Sequence, residues 1–264
     1  MNSIFLSLLL AAASAQAPAH PKLAVVIDDF GLTYKRDQPD ADWMALKFPI
    51  TFAVMPVSPT AAGKGSTKSA RDAAAAGHEV IIHFPFDKYL DLTLPKDEID
   101  PEDLKKVEAL FATALKQVPG PKGLNNHQSY RGTMNRPMMV EFMKLLKPTG
   151  LFFIDSHVST KSVAYAEAKK AGIPTAVNSI FLDGGREPKG RRSGDAKLLA
   201  EAIAADKKTC EGYLRVAAGL AKKNGRAVAI GHHYFRGTYQ CLVEEVPKLQ
   251  AQGFDFVFAS AVVQ

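Results

Sequence analysis

Two adjacent carboxylates, Asp28 and Asp29, close a short apolar run that begins at Leu23. Two carboxylates side by side at the end of a buried strand are costly unless a cation or a reactive group lies beside them. Other apolar runs along the chain also end in histidine, asparagine or aspartate. These further strand-end residues are His83, Asn125, Asn126, His127, Asp155, Asp183, His232 and His233. The repetition predicts one site that is built from several strand ends.

The mixture of imidazole and carboxylate groups indicates a metal-dependent site. Histidine nitrogen and aspartate oxygen suit Zn²⁺ or a similar divalent ion, and a catalytic metal keeps one position for water. Such a metal lowers the pKa of that water and polarises a carbonyl, while a second carboxylate takes the proton. Because neighbouring strand residues point to opposite sides, we expect one of Asp28 and Asp29 to bind the metal and the other to act as base.

Each of these residues also has an ordinary structural explanation. A single strand-end aspartate is more often a helix N-cap than a ligand, and a single histidine is more often a hydrogen-bonded structural residue. Five such strand ends together favour a shared site. His78 is excluded from it, because a strand over residues 78–83 would place His78 about 17 Å from His83, at the opposite end.

Apolar runs of strand length alternate with amphipathic segments of helical period. The runs are 23–27, 51–55, 79–84, 123–126, 151–154, 175–178, 227–230 and 255–258, and the helical segments are 69–76, 101–117, 137–147, 162–171, 197–223 and 239–252. This alternation predicts right-handed crossovers and a parallel sheet. Seven or eight such units in a single domain predict an α/β fold, a distorted (β/α) barrel that gathers functional residues at the carboxyl ends of its strands. An open doubly wound sheet is the alternative.

The amino-terminal residues predict export. Residues 4–13 are apolar but too few to span a bilayer comfortably, and an A-x-A cleavage motif follows at 13–15. We predict a signal peptide and linker over residues 1–19 and one domain over residues 20–264, with a retained amino-terminal anchor as the alternative. No later stretch has the length and apolarity of a membrane span. The expected location is the periplasm or the extracellular space.

The cysteines and the charge balance limit the possible partners. Two cysteines, Cys210 and Cys241, permit one disulfide in an oxidising compartment, and two buried free thiols are the alternative. The formal net charge is +6, part of it in residues 186–192. We interpret that segment as a solvated loop, with contact to an anionic substrate as the alternative. Because no aromatic residues are interleaved as a single-strand groove requires, we expect no nucleic-acid partner; the oligomeric state stays open.

Several short segments are similar to motifs of the polysaccharide deacetylase (NodB-like) superfamily. The run that ends in Asp28-Asp29 resembles its strand-end Asp-Asp motif, and residues 77–83 resemble the approach to its metal-binding histidine. Further segments resemble the divergent branch: His83-Phe84-Pro85-Phe86, Gly123-Leu124-Asn125-Asn126-His127, Phe153-Ile154-Asp155-Ser156, Phe181-Leu182-Asp183 and Ile230-Gly231-His232. They follow the family order over residues 22–262. The chain is therefore identified as a member of the divergent polysaccharide deacetylase family.

This resemblance implies metal-dependent removal of N- or O-acetyl groups from a glycan by a distorted (β/α) barrel. The superfamily's second metal-binding histidine would stand at position 87, where this chain has Asp87, so the resemblance assigns the third ligand to His127. The implied roles are Asp28 as general base, His232 as general acid, and Asp29, His83 and His127 as ligands of a divalent metal, with zinc as the expected ion.

The substrate is expected to be an acetylated envelope or extracellular glycan that contacts Asn125, Asn126 and Asp155. Beside these residues the chain departs from the usual family pattern: Gln128-Ser129-Tyr130 replaces Met-Gly-Ser, His157-Val158 replaces Arg-Thr, Phe86-Asp87 replaces Met-Glu, and His233 replaces proline. These changes predict an intact metal shell with an altered choice of substrate.

Three functions are compatible with these residues. The preferred one is a metal-dependent carbohydrate deacetylase. The first alternative is a non-catalytic envelope protein that binds a metal, a glycan or a partner protein on the same barrel, which the departures beside the motifs favour. The second alternative is another metal hydrolase, such as an amidase or a phosphoesterase, although a dinuclear site needs more bridging carboxylates than the strand ends offer.

Overall fold

A computed structural model of the chain describes residues 20–32, 38–56, 64–86, 90–128, 130–184 and 194–264. Within these ranges nine strands and eight α-helices follow one another along the chain. The strands are β1 (Lys22–Phe30), β2 (Thr51–Val54), β3 (Glu79–Phe84), β4 (Gly123–Asn126), β5 (Phe152–Asp155), β6 (Thr175–Val177), β7 (Ile180–Phe181), β8 (Arg226–His232) and β9 (Asp255–Val257). The helices are α1 (Asp40–Met44), α2 (Lys64–Ala75), α3 (Pro101–Gln117), α4 (Tyr130–Met134), α5 (Arg136–Leu146), α6 (Ala164–Lys170), α7 (Ala196–Asn224) and α8 (Arg236–Ala251). The predicted signal peptide and the basic segment 186–192 lie outside the described residues.

The strands form one parallel sheet in the order β6-β5-β4-β3-β2-β1-β8-β7. The ninth strand, β9, pairs with residues 22–24 of β1, whereas β2 pairs with β1 from Val26 onward. The strands from β2 to β5 are buried along their whole length. Their uninterrupted apolar runs are therefore those of a sheet that is covered on both faces.

A short crossing segment joins the two edges of this sheet. The backbone N–H of Asn178 donates to the carbonyl oxygen of Asp155 at 2.8 Å, and that of Ser179 donates to Val228 at 2.9 Å. The chain thus passes from β6, which pairs with β5, to β7, which pairs with β8, and the sheet curls. The predicted distorted (β/α) barrel is confirmed. The two-residue strand β7 is an addition, because it was not among the predicted runs.

Two apolar clusters lie on opposite faces of the curled sheet. On β1, Val25 and Ile27 pack in the large outer cluster with the helices, while Ala24 and Val26 belong to a smaller inner cluster. Val262, near the end of the chain, also packs in the inner cluster. Alanine, valine and isoleucine make up this inner cluster apart from Phe152, because a curled sheet of this size is filled by its own side chains.

The last two helices are joined covalently. Cys210 of α7 and Cys241 of α8 form a disulfide with their Cα atoms 6.2 Å apart, which decides between the two sequence-based alternatives. Asp195 caps the first turn of α7, and Gly225 ends this helix with a φ of 79°.

Among the described residues no helix combines the length and the apolarity needed to cross a membrane.

Candidate metal centre

The alternation of strand side chains brings polar residues from separate strands into the barrel interior. Four strands contribute an apolar residue to the inner cluster, and the residue two positions later faces the same way. The pairs are Val26 and Asp28 on β1, Ile81 and His83 on β3, Ile154 and Ser156 at the end of β5, and Ile230 and His232 on β8. The apolar interior is therefore topped by polar groups at the carboxyl ends of the strands.

Asp29 departs from this alternation. Its φ of 61° is left-handed, and the β1–β2 register shifts between Ile27 and Phe30, which marks a β-bulge. Aspartate tolerates this backbone conformation better than most residues, and a bulge re-aims a side chain. The expectation that Asp28 and Asp29 point to opposite sides was wrong, because the bulge turns both toward one cavity.

Asp29, His83 and His127 bring one carboxylate oxygen and two ring nitrogens together. Oδ1 of Asp29 lies 2.9 Å from Nδ1 of His127 and 3.4 Å from Nε2 of His83. The two ring nitrogens are 3.0 Å apart, and all three side chains are buried. The ligand atoms of the three residues lie within 4.8 Å of one another. Two imidazoles and one carboxylate are a donor set of catalytic zinc sites, so these residues form a possible metal-binding triad and fit the expected ion.

Asn125 lies beside the triad and contacts both Asp28 and His83. Its Oδ1 is 2.8 Å from Nδ1 of His83, and its Nδ2 donates to Oδ1 of Asp28 at 2.8 Å. Because a carboxylate only accepts hydrogen bonds, the amide nitrogen faces Asp28 and the amide oxygen faces His83. The oxygen accepts the Nδ1–H of His83, so in the neutral ring Nε2 is the nitrogen that carries the lone pair.

The environment shifts the pKa values of the neighbouring carboxyl groups of Asp28 and Asp29 in opposite directions. Burial raises the pKa of Asp28 above its ordinary value, and the nearby His83 and His232 only partly offset this. Burial also acts on Asp29, but hydrogen bonds from His127 and His83 outweigh it and hold the pKa of Asp29 well below its usual range. One carboxylate is therefore suited to accept a proton, and the other stays ionised.

His232 is paired with Asp183. The Nδ1–H of His232 donates to Oδ2 of Asp183 at 2.9 Å, and the backbone N–H of His232 donates to the same oxygen at 2.8 Å. Burial opposes the charged ring, but the charge and hydrogen bond of Asp183 raise the pKa of His232 to about 10. Asp183 was noted in the sequence as a strand-end residue without a role, and its position at the end of an apolar run was the signal.

Three asparagines meet at Ser156, which the sequence did not single out. Its Oγ accepts from Nδ2 of Asn125 at 3.2 Å, and its backbone N–H donates to Oδ1 of Asn126 at 2.8 Å. Its carbonyl oxygen accepts from Nδ2 of Asn178 at 3.3 Å. These contacts fix the loop that follows β5 at the edge of the triad, and Ser156 lines the cavity there.

Asp155 holds the start of the same loop. Its carboxylate accepts from the backbone N–H of His157 at 2.8 Å, from the hydroxyl of Ser162 at 2.7 Å and from the backbone N–H of Tyr165 at 3.2 Å. These donors fix the turn after β5 and the first turn of α6. Substrate contact by Asp155 remains a prediction, as it does for Asn125 and Asn126; of these three, Asn126 lines the cavity.

A cavity of about 190 Å³ opens over the triad. Among the described residues, its charged lining is formed by the five with predicted catalytic or metal-binding roles, Asp28, Asp29, His83, His127 and His232. Val158, Phe181 and Tyr234 form an apolar wall. The ring of Phe181 stacks on His232 with centroids 6.0 Å apart and an interplanar angle of 16°. The five predicted residues are thus brought together in one place.

His78 lies before β3, at the end of the strand opposite His83. Its Nε2 is 3.1 Å from the carbonyl oxygen of Met44, and its ring stands edge-on to Phe52. Burial lowers the pKa of His78, so the ring favours the neutral form. This environment agrees with the structural role that the sequence predicts for it.

Comparison with known proteins identifies relatives along most of the chain. Residues 25–263 match the family described as divergent polysaccharide deacetylase. The protein YibQ of Escherichia coli (strain K12) is 30% identical over 212 residues, which cover 80% of this chain and 58% of YibQ. A protein of Haemophilus influenzae (strain Rd) is 30% identical over 222 residues, which cover 81% of this chain and 67% of that protein. The chain thus spans less than two thirds of YibQ, and neither relative's name states an activity.

A solved structure supports the fold. The crystal structure of a protein from Agrobacterium tumefaciens C58 aligns with a TM-score of 0.69 and 18% sequence identity over 94% of this chain and 91% of that chain. At this identity the likeness concerns the fold alone. The family match, by contrast, spans the whole barrel from β1 to the residues after β9. The chain therefore belongs to the divergent polysaccharide deacetylase family.

Proposed function

We propose that this protein is a metal-dependent hydrolase that removes acetyl groups from an envelope or extracellular polysaccharide. The convergence of Asp29, His83 and His127 on one cavity, with Asp28 and His232 in its wall, carries the proposal. Hydrolysis of an acetyl group needs an electrophilic centre, a base for the attacking water and an acid for the leaving group. The family and fold are those of polysaccharide deacetylases.

In this proposal Asp29, His83 and His127 hold a divalent metal, for which zinc suits the nitrogen and oxygen donors. A divalent ion bound there supplies polarisation of the acyl carbonyl and makes the attacking water more acidic. Asp29 contributes a permanent negative charge because its pKa is held well below the usual range by His127 and His83. The hydrogen bond from Nδ1 of His83 to Asn125 keeps Nε2 of His83 available as a ligand.

Asp28 is the proposed base. Its Oδ1 is occupied by the amide of Asn125, and its Oδ2 lies 3.6 Å from Nε2 of His83, beside the ligands. Burial raises the pKa of Asp28, which makes the carboxylate a better proton acceptor than an exposed aspartate. Asp28 therefore accepts a proton from the water that attacks the acyl carbon.

His232 is the proposed acid. Its Nδ1–H is held by Asp183, and the pKa of about 10 keeps the ring charged at neutral pH. The opposite ring nitrogen, Nε2, then carries a proton that can pass to the leaving amine or alkoxide when the bond to the acetyl carbon breaks. The charged ring also stabilises negative charge that develops on the substrate.

The apolar wall of Val158, Phe181 and Tyr234 favours a small acyl group beside these polar residues. A cavity of about 190 Å³ is smaller than the roughly 300–1,000 Å³ of pockets that enclose drug-sized ligands. The acetyl group would therefore enter the cavity, while the remainder of a polymer stays outside its mouth. This size supports a small substituent on a large substrate.

An envelope substrate requires an exported enzyme. The predicted signal peptide over residues 1–19 would direct export to the periplasm or the extracellular space. The Cys210–Cys241 disulfide supports the same location, because disulfides persist in oxidising compartments.

Release of acetate by zinc-loaded protein tests this proposal. The substrates are acetylated chitooligosaccharides, peptidoglycan and acetylated xylan, and the matched control is Asp28→Asn. We expect acetate from at least one substrate and a loss of about 10²–10⁴-fold in kcat for Asp28→Asn, because the base is removed while the metal ligands remain. Tight zinc binding without acetate from any of the three would instead support a non-catalytic envelope protein.

A further inference from the structure

The side chain of Asn125 connects the proposed base to a proposed metal ligand. We propose that Asn125 is a positioning residue that orients His83 toward the metal and Asp28 toward the attacking water at the same time. This inference rests on the proposed function, because it concerns the same metal centre. It gives Asn125 a role beside the ligands, in place of the substrate contact expected from the sequence.

Every hydrogen-bonding group of the Asn125 carboxamide is engaged. The oxygen faces Nδ1 of His83 at 2.8 Å, and the nitrogen donates to Asp28 at 2.8 Å and to Oγ of Ser156 at 3.2 Å. A flipped amide would place its oxygen against the carboxylate of Asp28, where two acceptors repel. The three partners thus select one orientation of the amide, which in turn selects one orientation of each partner.

The burial of Asn125 supports this role. The side chain has an exposed fraction of 0% and lies on β4, the strand adjacent to the one that carries His83, in direct register with it. A residue that is fully covered has no surface to offer a polysaccharide. A hydrogen bond to the non-ligating nitrogen of a metal-binding histidine fixes its tautomer and ring orientation, and loss of such a partner weakens metal binding by about 10–100-fold.

Asn126 provides a matched control within the same strand. It is the same residue type, equally buried, and one position further along β4. Its side chain binds backbone groups, with Nδ2 donating to the carbonyl oxygen of Gln128 at 3.0 Å and Oδ1 accepting from Ser156 at 2.8 Å. Substitution of Asn126 therefore removes a buried amide without removing a contact to a ligand side chain.

Zinc affinity of the metal-free full chain, measured by competition with a chromophoric chelator, tests the inference. Asn125→Ala and Asn125→Leu remove the acceptor for His83, so we expect zinc affinity to fall by about 10–100-fold. Asn126→Ala should leave it close to that of the unsubstituted protein. Asn125→Asp keeps an oxygen opposite Nδ1 of His83 but places its second oxygen against the carboxylate of Asp28, where two acceptors repel, so it should retain only part of the affinity. The visible absorption of bound Co²⁺ should change in Asn125→Ala and not in Asn126→Ala.

Thermal unfolding of the metal-free variants separates positioning from general damage. If Asn125→Leu does not fold, Asn125→Ala and Asn126→Ala, which both truncate a buried amide, decide the question. A folded Asn125→Ala or Asn125→Leu with unchanged zinc affinity would overturn the inference, as would an equal loss in Asn126→Ala. Failure of the unsubstituted chain to bind zinc would instead overturn the proposed metal centre itself, and this inference with it.

Discussion

The two ends of β3 both hold buried polar side chains, but their partners differ in kind. At the amino end, Glu79 accepts hydrogen bonds from the hydroxyl of Thr51 at 2.9 Å and from the backbone N–H of Ser260 at 3.1 Å. His78 faces the carbonyl oxygen of Met44. The hydrogen-bond partners of Glu79 and His78 are neutral groups that hold the start of the strand against its neighbours, although the charge of Lys47 also acts on His78.

At the carboxyl end, ionisable groups face one another. Nε2 of His83 lies 3.6 Å from Oδ2 of Asp28 and 3.4 Å from Oδ1 of Asp29. Burial opposes charge on both His78 and His83; it lowers the pKa of His78, whereas the two carboxylates outweigh it and raise the pKa of His83. Burial of polar groups alone therefore does not mark a site; convergence of ionisable groups does.

The largest contrast between the two ends is expected in zinc affinity. His127→Ala removes one of three protein ligands, so affinity should fall beyond the roughly 100-fold limit typical of a ligand's hydrogen-bond partner. His78→Ala should leave it unchanged, because His78 lies at the opposite end of β3. Chelator competition on both variants gives the comparison, and equal losses would contradict the separation of the two ends.

The disulfide includes none of the site residues and should affect stability without affecting zinc binding. It links α7 to α8 across 31 residues, so the loop-closure model predicts that Cys210→Ser with Cys241→Ser lowers the free energy of unfolding by about 3–4 kcal/mol. Denaturant titration measures this loss. Zinc affinity of the folded double variant should be unchanged; a parallel loss would mean that the helix pair also shapes the metal centre.

Asp183→Asn should alter the pH dependence of acetate release. The substitution removes the negative charge that raises the pKa of His232 to about 10, so the ring loses its proton at lower pH. A general acid must be protonated. The alkaline limb of the pH profile of kcat/KM should therefore move to lower pH by at least about one pH unit, equivalent to about 1.4 kcal/mol. Asp195→Asn, which substitutes the aspartate that caps α7, is the control, and an unmoved limb would contradict the acid role of His232.

The smallest effect is expected at the amino end of β3. Glu79→Gln retains a hydrogen-bonding side chain of the same shape, so the free energy of unfolding should fall by about 1 kcal/mol. Asp29→Asn at the carboxyl end should instead weaken zinc binding, because it removes the charge of a ligand. Denaturant titration and chelator competition on both variants test the difference. Loss of zinc binding in Glu79→Gln would show that the two ends are coupled.

The sequence predicts the strands and the strand-end positions well because both follow from local patterns. Period-two alternation places Asp28 on the same face of β1 as Val26, inside the barrel. The predicted apolar runs match eight of the nine strands among the described residues. The bulge at Asp29 escapes such reasoning, because it depends on the register between β1 and β2. The two-residue β7 is too short to produce a pattern.

The partners of each site residue were harder to predict. Asn125 reaches Asp28 across 97 positions of the sequence, and His232 reaches Asp183 across 49. Local periodicity assigns a face to each side chain, but the identity of its neighbour depends on strand order and register. This is why Asn125 was expected to contact substrate, and why Ser156, which three asparagines hold, had no predicted role.

The location and number of bound zinc ions test the central claim most directly. A crystal structure of the zinc-loaded protein, with anomalous data at the zinc edge, identifies each ion and its ligands. We predict one zinc ion per chain, bound by Oδ1 of Asp29, Nε2 of His83 and Nδ1 of His127. Two ions per chain, an ion held elsewhere, or no ion at saturating zinc would contradict the account.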